Sequence, residues 1–246
     1  MLARRSLLLA TLGGLLLVVP SRASELAEPV PPSLMSGLAA HAAGFEQMKV
    51  RGAFTLDGKV EEIDGEGHAS ETKEIKVRLT PRPGSPVLAD VIRYTENGVD
   101  KTAEAREKAA EARAKAAVNR AKKPKKEFRF PFLASEQARY SFALVGRDPA
   151  HASRVKISFV PLVPAEDAFK GSAWVDADTS SVLSMGFSPT RNPMFVDHVD
   201  IQVTFGLQTP LGRAPSEILF DGRGGFLVIR KHYRGKAVIS NPRLAF

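Results

Sequence analysis

Two stretches of the chain carry residue types that could do chemistry. Asp197-His198-Val199-Asp200 places His198 and Asp200 on one face of an extended strand, because strand side chains alternate with a period of two. A metal there would need a third ligand, and none is apparent: His41, His68, His151 and His232 sit in unrelated contexts. The pair reads as part of a solvated strand edge. Gly222-Arg223-Gly224-Gly225 resembles a phosphate-cradling loop, yet it leads into a strand, whereas an anion is held by the N–H groups that open a helix. It reads as a hairpin turn. No Gly-x-Ser-x-Gly elbow is present, and the absence of cysteine removes thiol catalysis, zinc–thiolate sites and iron–sulfur clusters. No catalytic residue, metal or cofactor is expected.

What the chain offers instead is apolar surface at strand spacing. Val199, Ile201, Val203, Phe205 and Leu207 make one face opposite Asp200, Gln202 and Thr204. Leu183, Met185 and Phe187 do the same in the segment before, and Ile218 with Phe220 in the one after. Together with Trp174, the residues Leu183, Met185, Phe187, Ile201, Val203, Phe205, Ile218 and Phe220 are the candidate wall of an apolar groove. An ordinary packed core would carry the same pattern.

The elements that must position these residues follow from periodicity and turn residues. Residues 1–23 read as a secretory signal peptide, with Arg4 and Arg5, an apolar run from Leu7 to Val19 and small residues before a cut at Ala23. Export by the general secretory route fits better than the twin-arginine route, and places the mature chain in the periplasm. Residues 24–33 form a proline-rich linker, and 34–246 a single domain. Leu34 to Phe45 has helical spacing and Gly44 near its end. Strands are expected at 50–56, 59–63, 74–79 and 87–95, with turns at Asp57-Gly58, Asp64-Gly65, Pro81 to Pro86 and Asn97-Gly98. Further strands are expected at 139–145, 154–160, 172–175, 182–187, 199–207, 214–221, 225–233 and 236–240.

A helical insertion at about 101–126 differs in kind. Between those positions lie ten lysines and arginines against Glu104, Glu107 and Glu111, so the formal charge of +8 is concentrated here. Ala, Glu and Lys dominate, Glu104/Lys108 and Glu111/Lys115 fall at i,i+4, and Asp100 stands at the N-cap position. Without an apolar stripe the helix is expected to project into solvent. Arg113, Lys115, Arg120, Lys122, Lys123, Lys125 and Lys126 are candidates for docking an acidic envelope protein or an anionic membrane surface. Export and the lack of interleaved aromatics argue against nucleic acid.

Three segments in series carry a resemblance: Ala138 to Gly146 around Tyr140, Val155 to Pro161 with Phe159 before the proline, and Phe169-Lys170-Gly171-Ser172-Ala173-Trp174-Val175-Asp176. Their order resembles that of LolA-like outer-membrane lipoprotein-sorting proteins, and the early helix and the last strands around Tyr233 agree with it. The resemblance implies a mainly β fold, a single antiparallel sheet curved into an unclosed half-barrel with covering helices. It also implies a non-catalytic periplasmic carrier of lipid or lipoprotein acyl chains. The alternative is a structural or regulatory envelope module that docks its partner through the basic helix.

Overall fold

The computed structural model describes residues 28–83, 85–119, 129–165, 167–226 and 229–246. The expected signal segment lies outside them, as do Arg120, Lys122, Lys123, Lys125 and Lys126.

The chain opens with helix α1 (Pro32–Arg51), followed by strands β1 (Gly52–Ile63), β2 (Ala69–Arg82), β3 (Ser85–Glu96) and the short β4 (Val99–Asp100). Helices α2 (Thr102–Asn119) and α3 (Ala134–Gln137) come next. Strands β5 (Tyr140–Asp148), β6 (His151–Pro161), β7 (Phe169–Asp176), β8 (Ser181–Pro189) and β9 (Val196–Thr204) form a meander. A small hairpin of β10 (Leu207–Thr209) and β11 (Gly212–Ala214) precedes β12 (Glu217–Phe226) and the long β13 (Ile229–Leu244). Eleven strands join in one antiparallel sheet ordered β4-β3-β2-β1-β13-β12-β9-β8-β7-β6-β5, which is not closed into a barrel.

Several expected turns are strand interiors. Asp57-Gly58 lies within β1, where Gly58 pairs with Ile75 on one side and Ala237 on the other. Gly222 to Gly225 lies within β12, between β9 and β13, and 225–240 is not two strands but part of β12 and one continuous β13. Two flanking ladders satisfy every backbone group of such a strand, which outweighs the local turn preference of Asp-Gly or Gly-Gly. β9 ends at Thr204, not Leu207, and is central rather than an edge. α1 runs past Gly44 to Arg51. A Cβ at Gly44 would overlap the Leu211 carbonyl oxygen, so this glycine serves the close approach of the β10–β11 hairpin and does not end the helix.

One sheet edge is lined by a helix, and the other is capped at a single point by the chain itself. At β3 the Tyr94 N–H donates to the Thr102 hydroxyl (2.9 Å), and the Arg106 Nε donates to the Val91 carbonyl (2.8 Å). The helix expected to project is therefore anchored at its start along β3, where half-buried Ala105 and Ala109 allow close approach. Asp100 Oδ1 accepts the Thr102 N–H (2.8 Å), and both expected i,i+4 ion pairs form. Lys101 and the Tyr94 hydroxyl hold the Glu96 carboxyl down to about 2, while burial and Glu96 push the Tyr94 phenol up to about 12. At the other edge the Leu144 N–H donates to the Glu28 carbonyl (2.7 Å). Such covers keep an edge from pairing with another chain.

The core lies on the β5–β9 side. Leu34, Leu38 and Ala42 of α1 face Val155, Ile157, Phe159, Ala173, Val175, Val182, Met185, Phe187 and Val203 of the sheet. Phe130 and Phe132, both fully buried, fill the space between. Phe132 stacks on Phe142 and Phe130 meets Phe205 edge-on. Buried Glu136 accepts ion pairs from Arg129 (3.1 Å) and Arg139 (2.7 Å), and the Gln137 amide donates to the Phe132 and Met35 carbonyls. The segment 129–137 thus plugs this half of the sheet and ties itself to α1.

His41 of α1 packs edge-on against Phe205, its Nε2 buried with no hydrogen-bond partner among the described residues. Burial, reinforced by the Arg213 charge, holds its imidazole below the usual histidine value of 6.5. The unfolded chain therefore takes up this proton first, so stability contributed by neutral His41 is lost as pH falls below 6.5. Urea midpoints should drop between pH 7 and about 5 in the parent, and His41→Leu should flatten that slope.

Candidate functional site

Where the core ends, the concave face continues uncovered across β9, β12, β13 and β1. The register places Phe220 between Ile201 and Gly235, and Gly235 opposite Val60. One step along, Gly222 lies between Val199 and Tyr233, and then Gly224 between Val196 and Lys231. Glycine gives no side chain to this face, so the sheet backbone becomes a floor and the flanking side chains become walls. The result is an open groove of ≈ 560 Å³, walled by Val60, Phe195, Val196, Val199, Phe220 and Tyr233. Small-ligand sites fall in this size range.

Phe195 is held over one end of the groove by unusual backbone geometry. Its φ is 70°, a left-handed value rare for a bulky residue. The Gly225 N–H donates to its carbonyl (2.8 Å), and a Cβ at Gly224 would overlap that same oxygen. At the rim the Lys231 ammonium meets the Glu62 carboxylate (2.9 Å) and lies 5.8 Å from the centre of the Tyr233 ring. The Tyr233 hydroxyl also donates to Glu62 (3.0 Å). The Lys231 hydrogen bond, aided by Tyr233, keeps the Glu62 carboxyl below its usual value, and Glu62 raises Lys231 in turn. The site can bury an apolar chain and meet one anionic group with Lys231. It presents no nucleophile–base pair.

Of the nine residues expected to wall a groove, only Phe220 lines this one. Met185, Phe187, Val203 and Phe205 are buried in the core beneath α1 and the plug, with Ile201 and Ile218 packed against its margin. Leu183 is the extra residue at the register shift between β7 and β8, its carbonyl accepting the Phe205 N–H (2.8 Å). Trp174 belongs to the opposite face, since its neighbours Ala173 and Val175 point into the core, and Lys156 lies over its ring at 5.8 Å. Arg113 and Lys115 lie on α2, Lys115 paired with Glu111 (3.4 Å). The walls at Val60, Phe195, Val196 and Tyr233 were not singled out from sequence. Gly222 and Gly224, alternating within an apolar strand, were the signal for them.

On the convex face, His198 Nε2 contacts Asp200 Oδ2 (2.7 Å), and Asp200 also accepts from the Ser188 hydroxyl. The Ser188 hydrogen bond is the main cause that holds the Asp200 carboxyl low. Asp221, opposite Asp200, pairs with His232 (2.9 Å) and Arg234 (3.2 Å). This is a solvated ladder of ion pairs, and no group of three or more metal-ligating side chains occurs among the described residues.

No protein-family model matches the sequence, and no curated protein does. Solved structures do. A DUF1329 family protein from Desulfovibrio piger aligns over 86% of this chain and 92% of its own, at 10% identity and a TM-score of 0.39. A domain from Vibrio parahaemolyticus named for outer membrane lipoprotein sorting aligns over 84% and 93%, at 10% identity and 0.37. A LolA superfamily protein from Nitrosomonas europaea aligns over 83% and 93%, at 7% identity and 0.33. The likeness is one of fold. No helix among the described residues is long and apolar enough to cross a membrane.

Proposed function

We propose that this chain is a periplasmic carrier that shelters one acyl chain of a lipid or lipoprotein in the groove between β9, β12, β13 and β1, without covalent chemistry. The observation that carries the reading is the apolar wall left open to solvent over a glycine floor, beside a β5–β9 half whose same face is filled by α1 and the plug. A sheet face that served only as core would be covered there too. Each methylene removed from water contributes about 0.8 kcal/mol, so a chain laid along the groove supplies its own driving force. Lys231 stands at the rim, where the carboxylate or phosphate of an amphiphile would come to rest.

Native mass spectrometry of the mature protein, purified from its own envelope fraction without detergent, tests this directly. A co-purifying lipid, or uptake of a long-chain fatty acid that Phe220→Asp abolishes, is the expected result. A protein that stays at its apo mass after incubation with acylated ligands overturns the proposal.

A further inference from the structure

The loop end of the β6–β9 half exposes large apolar side chains, of which only Phe195 also borders the groove. Met194 is 79% exposed and Phe195 53%, in the connection from β8 to β9; Leu162 is 65% and Val163 72%, in the connection from β6 to β7. The antiparallel register puts both connections at the same end of the sheet. They are also bound to each other: the Thr190 hydroxyl donates to the Ala165 (2.9 Å) and Ala168 (3.1 Å) carbonyls, and the Thr190 N–H donates to Ala168 (2.9 Å). The apolar tips are therefore presented on a fixed frame.

We propose that this end docks on a phospholipid bilayer, with Met194, Phe195, Leu162 and Val163 entering the interface. Side chains exposed to this degree protrude singly from loops. A hydrocarbon interior accepts such tips without shape complementarity, whereas a protein partner needs a continuous matching surface. Arg191 is exposed in the same connection as Met194, and Asp167, in the β6–β7 connection, is paired with Arg139 (3.3 Å), so a cation is available for anionic head groups. The β1–β2 turn at the same end carries Asp64 and Glu66, which limits the contact to the β6–β9 side. Because Phe195 also walls the groove, docking brings the groove mouth to the lipid surface. The bilayer contact goes beyond the carrier reading and is measured without cargo, so either can fail alone.

The chain has no cysteine, which makes a single introduced thiol a specific label. Met194→Cys carrying a polarity-sensitive dye is titrated with vesicles of phosphatidylglycerol and phosphatidylethanolamine. Val50→Cys, 62% exposed and beyond the opposite end of the sheet, is the control. A blue shift at position 194 and none at position 50 is expected, and a Met194→Asp/Phe195→Asp variant should lose about tenfold in vesicle-bound fraction. No shift at 194, equal shifts at both positions, or binding to a protein but not to protein-free vesicles overturns the proposal. The dye readout decides the matter even if the double variant fails to fold.

Discussion

Phe132→Ala should lower the free energy of unfolding by about 3–5 kcal/mol, read as a shift of the urea midpoint at unchanged slope. The ring is fully buried, stacks on Phe142 and meets Phe130 and Phe159 edge-on, so its removal leaves a cavity that three rigid neighbours cannot collapse into. The plug also holds α1 through Gln137, so loosening it weakens the helix that covers Met185, Phe187 and Phe205. Phe220→Ala is the matched comparison, because its ring is only half-buried along the groove. That change should cost about 1 kcal/mol. Equal losses for the two variants would mean that the β5–β9 half is no more tightly packed than the groove, contrary to the burial of the plug.

Filling the groove should abolish cargo uptake without harming the fold. A Cβ at Gly222 would meet nothing nearer than the His198 oxygen at 3.9 Å and Val199 Cγ2 at 4.0 Å, so a side chain has room to rise from the floor. Gly222→Val places a β-branched residue in the middle of β12, which suits a strand and leaves stability equal or slightly higher. Its methyl groups occupy the space between Val199 and Tyr233. Titration with a fluorescent fatty acid should show an affinity at least about tenfold weaker, near 1.4 kcal/mol, at an unchanged unfolding midpoint. Parent-like binding by this variant would rule out the groove as the binding site.

The strand periodicity and the resemblance were enough to place most of the sheet, the first helix and the charged α2, because alternation survives wherever one face is buried. Asp57-Gly58 and Gly222 to Gly225 misled for a definite reason. Turn propensity is a property of a few adjacent residues, and these lie in strands flanked on both sides by segments far away in the chain: Gly58 by Ala237, Gly222 by Val199. The plug was hidden similarly, since Phe130-Pro131-Phe132 has no period of its own and is defined by the surfaces it joins. The candidate site was legible only at Val199, on the expected apolar face, and at Phe220. Apolar alternation marks which face is buried, but whether a covering element lies over it depends on where α1 and the plug come to rest.

The position of β13 has a consequence for how the molecule comes into being. The last strand inserts between the first strand and β12, pairing Gly52 with Leu244 and Glu217 with Val238. Until β13 has been synthesised, the sheet exists only as two separate wings, one ending at an unpaired edge of β1 and the other at an unpaired edge of β12. Closure waits for contacts that span almost the whole chain, which makes assembly slow and leaves the intermediates prone to aggregation. A chain stopped short of Ile229 should accumulate as two unjoined halves, since it lacks the strand that welds them.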